Sequence, residues 1–131
     1  MQKLAAVEEA KALFQEAKEW GLWRWLLEKR RARQTADAAW EALEHYEKKV
    51  KAGWSAEQKK ALREDEALRT AAEKARQAHE AAEAQFDEAD RYLSTSMARE
   101  GAQMAIDAWT MRERFIRRLE SFGRQAPSRT R

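Results

Sequence analysis

Residues 68–93 read LRTAAEKARQAHEAAEAQFDEADRYL, and this stretch decides the fold. Eight of its positions alternate at spacings of four and three residues, which is the heptad repeat of helices that pack along a seam. Those positions are Leu68, Ala72, Ala75, His79, Ala82, Phe86, Ala89 and Leu93. Because alanine dominates the seam, a partner helix can approach closely and place its own large side chains there. The stretch predicts a long helix on which other helices pack.

The composition indicates an all-α protein. Of the 131 residues, 37% are charged and 44% are hydrophobic, with one Pro and four Gly, which is typical of long helices and coiled coils. A helix over residues 56–94 would be roughly 58 Å long, whereas a compact chain of this length is roughly 28 Å across. We therefore expect one domain, residues 1–123, built as an elongated antiparallel hairpin or bundle of three to four helices.

Hydrophobic periodicity and capping signals predict where the helices begin and end. Gly53 suits the end of a helix, and Ser55 opens a capping box for the next one, so a hairpin is expected there. Gly123 is expected to stop the last helix, and residues 124–131 to form a disordered basic tail. The predicted helices cover residues 3–19, 22–52, 56–94 and 96–122.

Counting outward from the turns predicts which residues face each other. The second and third helices should face at residue numbers that add to about 107, which sets Trp25 near Ala82. The third and fourth should face at numbers that add to about 190, which sets Met104 near Phe86. Residues 3–19 either fold back onto this core or pair with another molecule, and the sequence leaves both alternatives open.

Enzyme chemistry and metal binding are not expected. The chain has no Cys, which excludes disulfides and a thiol nucleophile. His45 and His79 each have a carboxylate four residues away, but the predicted register separates the two by roughly 25 Å, too far for one metal site. His79 is expected to bond Glu28 instead. The sequence has neither a convergent serine triad nor a glycine-rich phosphate loop, so we predict no cofactor, no metal and no small-molecule substrate.

Three of the six tryptophans lie in WGLWRWLL, residues 20–27. This segment is apolar nearly all round, which indicates either burial under several neighbours or docking on a partner. Under burial, the first helix folds over Trp23. Under docking, Trp20 and Trp23 contact a protein, as does Trp54 at the hairpin tip, because Trp and Arg are enriched at interface hot spots. A membrane-surface anchor is a third alternative, since four basic residues follow at positions 29–33.

Basic residues are segregated along the chain, although the net charge is only +3. The predicted register brings cations of three helices to one height, where they form a belt suited to phosphates because arginine binds phosphate bidentately. Lys48, Lys49 and Lys51 lie at the hairpin tip, away from this belt. The belt and the start of the tail contribute Arg30, Arg31, Arg33, Lys74, Arg76, Arg112, Arg114, Arg117, Arg118 and Arg124.

These observations predict a non-catalytic helical subunit of a larger complex, which binds a nucleic-acid backbone without reading bases. In size, helicity and basic face it is analogous to small helical subunits of ribonucleoproteins such as CRISPR effector complexes. The expected partners are protein subunits, a second copy of the chain among them, and RNA or DNA. No secretory leader or membrane span is expected, which suits the cytoplasm. The alternatives are a coiled-coil adaptor or chaperone whose belt meets an acidic protein, and a membrane-surface protein.

Overall fold

The computed structural model describes residues 3–125, which form five α-helices. Their bounds are α1, Ala5–Ala17; α2, Leu22–Lys51; α3, Ala56–Glu64; α4, Glu66–Tyr92; and α5, Thr95–Gln125. No strand occurs in this part of the chain, so the prediction of an all-α bundle is confirmed. At 1.5 Å per residue α2, α4 and α5 are each roughly 40 to 47 Å long, which makes the bundle elongated.

The predicted third helix is interrupted at Asp65, which is why there are five helices. Asp65 has an extended backbone, and its Oδ1 accepts a hydrogen bond from the Leu68 N–H at 2.9 Å, so it caps α4. Aspartate prefers such a cap to a helix interior, because its short side chain bonds nearby backbone groups. The capping box predicted for α3 is present, since Ser55 and Gln58 each bond the other's backbone N–H.

The last helix is longer than predicted. α5 continues through Gly123 to Gln125, so Gly123 does not stop it and Arg124 is helical. Gly123 has a packing role instead, because an added Cβ would come within 2.6 Å of the Trp54 ring. The remainder of the predicted tail, residues 126–131, lies outside the described residues.

The closest packing in the bundle is between α4, along its alanine seam, and α5. Gly101 of α5 lies directly against Phe86, where an added Cβ would come within 3.1 Å of the ring. The sequence prediction set Met104 at this height and is wrong by about one helical turn. The reason is the turn itself, which consists of Leu93 in the left-handed conformation (φ 50°) and Ser94, and so begins earlier than predicted.

α1 folds back onto the other helices and completes the core, which decides between the two alternatives for residues 3–19. The ring of Phe14 is fully buried, with its centroid 5.7 Å from that of Phe86 and 5.0 Å from that of Trp109. Trp25 stacks on Phe86 at 5.5 Å. Aromatic pairs of this kind add about 0.5 to 1.5 kcal/mol each beyond the burial of their area.

α2 packs mainly on α1 and α5, and less closely on α4 than the predicted hairpin requires. Large side chains lie between α2 and α4: Trp40 stacks on His79 with ring centroids 4.1 Å apart. Arg33 reaches across to Asp87 at 2.9 Å. The predicted register set Arg33 beside Lys74, roughly 20 Å further along α4, and is wrong there. Because bulky side chains hold these two helices apart, they do not adopt the close heptad pairing that turn counting assumes.

Candidate nucleic-acid interface

The C-terminal part of α5 carries its charges on two faces. Glu113 is buried and ion-paired with Lys11 of α1. Glu120 accepts a hydrogen bond from the Tyr46 hydroxyl of α2 at 2.9 Å. These two glutamates are the acids of residues 112–125, and both are held by other helices of the bundle. The outer face of this segment is therefore left with cations.

Four arginines occupy the outer face and form what we call the arginine row. All four are exposed, and within residues 3–125 none of them has an ion pair or a hydrogen bond to another side chain. Their spacing keeps them within about a third of the helix circumference, over roughly 15 Å of helix. Four uncompensated guanidinium groups on a strip of this length create a strongly positive potential. The arginine row consists of Arg114, Arg117, Arg118 and Arg124.

Lys74 of α4 adds a cation beside the arginine row. Together with Arg114 and Arg118 it lines a shallow groove of about 180 Å³ between α4 and α5, whose lining includes the apolar side chain of Met111. Asp65 lies in the neighbouring hollow with Arg118, but its carboxylate is engaged in capping α4. The structure thus brings together three of the residues assigned to the belt, and they come from two helices.

Arg76 and Arg112, two further predicted members of the belt, line a different hollow together with Trp40. Arg112 is ion-paired with Glu47, and its guanidinium lies 4.6 Å from the centre of the Trp40 ring. Arg76 donates hydrogen bonds to Glu73, which lower the pKa of Glu73 and raise the pKa of Arg76. Since both arginines already have carboxylate partners, they are weaker candidates for phosphate contacts than the arginine row.

The basic residues in the first half of α2 lie far from the arginine row. Arg33 donates to Asp87, which belongs to the C-terminal part of α4 and is separated from Lys74 by roughly 20 Å along that helix. Arg31 pairs with a glutamate one turn earlier on α2, whereas Arg30 is exposed and has no partner among residues 3–125. The prediction that these residues form a single belt is therefore wrong, because they lie in separate groups on the structure. Whether either group binds phosphate stays a prediction.

The α2–α3 hairpin carries a cationic group that the predicted register set apart from the belt. We call it the lysine tip, and its side chains line one hollow: Lys48, Lys51, Lys59 and Arg63. The hairpin docks on the end of α5, since the Gln58 side chain donates to the Gly123 carbonyl oxygen at 3.2 Å and Trp54 packs against Gly123. The lysine tip and Arg124 consequently lie at the same end of the bundle. Lysines on both sides of the turn were the sequence signal for it.

The tryptophans predicted to contact a partner differ in their exposure. Trp20 and Trp25 lie in the core, only 3% and 2% exposed, whereas Trp23 between them is 78% exposed. The prediction that the first helix covers Trp23 is wrong, because position 25 and not position 23 falls on the inner face of α2. Trp54 is half-buried against the end of α5. Of the three candidate contact residues, Trp23 therefore offers the most free surface, and Leu27, one turn later, is 83% exposed.

His45 is exposed, whereas His79 packs between two helices. His79 stacks on Trp40 and lies 3.4 Å from Glu83. The expected bond from His79 to Glu28 is absent, because His79 lies level with Trp40, roughly 18 Å along α2 from Glu28. Across the described residues no group of three or more His, Asp or Glu side chains could hold a metal ion.

Comparisons of the chain with models of known protein families, with curated proteins and with solved structures gave no match. No helix within residues 3–125 is both long and apolar enough to cross a membrane. On the surface formed by residues 3–125, the arginine row is a group of four exposed cations without an ion pair in that part of the chain.

Proposed function

We propose that the protein is a non-catalytic helical subunit that binds the backbone of RNA or DNA through the arginine row. The observation that carries this proposal is the separation of charge over residues 112–125 of α5, where the two acids are held by other helices while four arginines face solvent. Guanidinium groups donate paired hydrogen bonds to phosphate oxygens, and an unpaired group loses no internal ion pair when it does so. The row therefore suits a chain of phosphates.

The dimensions of the row fit this partner. Its length of roughly 15 Å corresponds to about four successive phosphates of one DNA strand, at 3.4 Å per phosphate along the axis. Lys74 lies beside the row and the lysine tip lies at its end, so both extend the positive surface. Contacts of this kind fix a protein on the backbone but carry no base information, so mixed sequences should bind alike.

A protein-only adaptor is the second candidate. The exposed pair Trp23 and Leu27 favours it, because a free Trp beside arginines is the usual composition of a protein contact. In that case the arginine row would meet an acidic protein surface and would not distinguish phosphate from carboxylate. A membrane-surface protein, the third candidate, would insert the same two apolar side chains into lipid.

Fluorescence anisotropy with labelled 20-nucleotide RNA and DNA of mixed sequence tests the proposal. At low salt the protein should bind, and the logarithm of the association constant should fall with the logarithm of salt concentration at a slope of about −3. Changing Arg114, Arg117 and Arg118 together to Glu should weaken binding by at least about 100-fold and flatten the slope by about two. All three side chains are exposed, so the variant should keep its fold.

The control reverses Arg24, Arg31 and Arg91, which are exposed, carry the same total charge as the three row residues and, unlike them, pair with surface glutamates. Binding should change by less than about fivefold in this variant, since only the long-range potential is altered. If the control weakens binding as much as the row variant, the attraction is general charge and the proposed site does not exist. If polyglutamate displaces the nucleic acid at equal charge concentration, the adaptor is the better function. No binding at low salt refutes the proposal.

A further inference from the structure

The outer face of α2 carries a second heptad repeat, which no part of the described chain covers. Its positions alternate at spacings of four and three residues, as they do in the seam of α4, but every one of them is exposed. Within residues 3–125 none has an ion pair, a hydrogen bond or a ring contact with another side chain. The first six positions are Trp23, Leu27, Arg30, Gln34, Asp37 and Glu41. Residues at this spacing share one side of the helix, and Trp23 and Leu27 are the apolar ones among these six.

The apolar end of this stripe needs cover. Trp23 and Leu27 are 78% and 83% exposed and lie one turn apart, so they form one apolar patch and not two scattered residues. The next tryptophan along the chain, Trp25, is only 2% exposed, so two tryptophans of the same helix turn differ in exposure because Trp25 packs in the core and Trp23 does not. The patch is therefore free for a contact outside the single chain.

The charges of the stripe change sign along α2. Arg30 lies in its first half, Asp37, Glu41 and Glu44 lie in its second half, and Lys48 follows as its last position. In a parallel pair of α2 helices each heptad position meets itself, so Arg30 would face Arg30 and Glu41 would face Glu41. In an antiparallel pair the first half of one α2 lies along the second half of the other, so Arg30 of each copy meets an acidic residue of its partner helix. The stripe is thus complementary to a reversed copy of itself, which is what a two-fold symmetric interface requires.

We propose that the outer face of α2 is the interface of an antiparallel homodimer. In the coiled-coil register that pairs alternate heptad positions, Arg30 meets Glu41 of the second copy and Gln34 meets its Asp37. One turn further, Leu27 lies on the aliphatic part of Glu44 of the second copy. Trp23 receives the ammonium of its Lys48, a cation–π contact. The two Arg30–Glu41 layers then join opposite charges, and the side chains of Glu44 and Lys48 lie over the apolar patch.

The same charges disfavour the other occupants. A membrane surface is anionic, so a helix lying on it would bring Asp37, Glu41 and Glu44 against lipid headgroups of like charge. An unrelated protein would need a basic region beyond its acidic one to match both halves of the stripe. The second copy supplies this match without any further assumption. None of the residues involved belongs to the arginine row, so this inference and the proposed function can fail independently.

Sedimentation equilibrium of the full chain, with a charge exchange on α2, tests the dimer. The unmodified protein should be dimeric at about 100 µM, since an interface with few apolar layers predicts micromolar affinity. Arg30→Glu and Glu41→Arg should each raise the dissociation constant at least tenfold, because each sets two pairs of like charges against one another. The double variant restores opposite charges, and its dissociation constant should lie within about threefold of that of the unmodified protein. Both positions are exposed, so circular dichroism should show unchanged helicity and melting of the monomer.

Three outcomes would overturn the proposal. A monomer at about 1 mM would show that the face is not self-associating, and binding of that monomer to anionic vesicles through Trp23 would assign the patch to lipid. A dimer unaffected by either single exchange would place the interface elsewhere. A double variant no tighter than the single variants would exclude the antiparallel register, whereas recovery of the dimer in the double variant supports it directly.

Discussion

The arginines of α2 and those of α5 are similarly dense in the sequence, yet their surroundings differ. Arg33 lies 2.9 Å from Asp87 and 3.5 Å from Asp90, and its guanidinium is 5.4 Å from the centre of the Phe86 ring. The arginine row faces solvent without a carboxylate partner in the described chain. The difference arises from the neighbouring helix, since the C-terminal part of α4 is acidic whereas Lys74 stands beside the row. The number of arginines in a stretch of sequence therefore does not show which of them are free to bind a ligand. That depends on whether the folded chain gives each arginine a carboxylate partner.

Arg112 and Arg114 show the same contrast two residues apart. Arg112 points between α2 and α4, where it is ion-paired with Glu47 and lies over Trp40. Arg114 lies on the outer face and lines the groove with Lys74. A rotation of about 200° around the helix separates a structural arginine from a candidate phosphate ligand.

The largest expected effect that sharpens this comparison is on stability. Arg112→Ala removes one of the two cationic partners of the partly buried Glu47 carboxylate and uncovers the Trp40 ring, and should lower the free energy of unfolding by about 1 to 2 kcal/mol. Lys51 still pairs with Glu47, which keeps the loss below that of a fully isolated charge. Arg114→Ala should change stability by less than about 0.5 kcal/mol. Urea denaturation followed by circular dichroism measures both, and equal midpoints would refute the distinction.

A comparable effect is expected at Arg33. Arg33→Glu places a third carboxylate beside Asp87 and Asp90 and should lower the free energy of unfolding by about 1 to 2 kcal/mol, an amount limited by partial solvent screening. Raising the salt concentration should reduce the loss, because the new repulsion is screened. Arg117→Glu is the matched control and should leave the melting temperature nearly unchanged while weakening nucleic-acid binding. Equal stability and equal nucleic-acid affinity of the two variants would refute the distinction between Arg33 and the arginine row.

Much of the fold was predictable, because its signals are local. The heptad seam of α4 as far as Ala89, the capping box at Ser55 and the start of α2 depend on neighbouring residues only, and all three appear in the structure. The last predicted position of the seam, Leu93, is wrong, because it lies in the turn after α4 and is 56% exposed. The register between helices depends on the turn geometry and on bulky contacts such as the Trp40–His79 stack, which no local pattern reveals. Turn counting consequently failed by one helical turn at Gly101 and by much more at Arg33.

The candidate site was predictable in part. Helical phase alone places Arg114, Arg117 and Arg118 on one face, opposite the buried positions of α5. The sequence does not show that Glu113 forms an ion pair with Lys11, which lies in a helix about 100 residues earlier. The docking of the hairpin on Gly123, which sets the lysine tip beside the row, is equally non-local.

We expect phosphates to contact the arginine row and not Arg33 of α2 or Arg112 of α5, which are ion-paired within the bundle. Side-chain Nε–Hε resonances in NMR spectra of the ¹⁵N-labelled protein, titrated with mixed-sequence single-stranded DNA at low salt, test it without any substitution. The resonances of Arg114, Arg117 and Arg118 should shift in proportion to binding, while those of Arg33 and Arg112 stay in place because their partners are internal. Shifts at Arg33 that equal or exceed those of the arginine row would contradict the account.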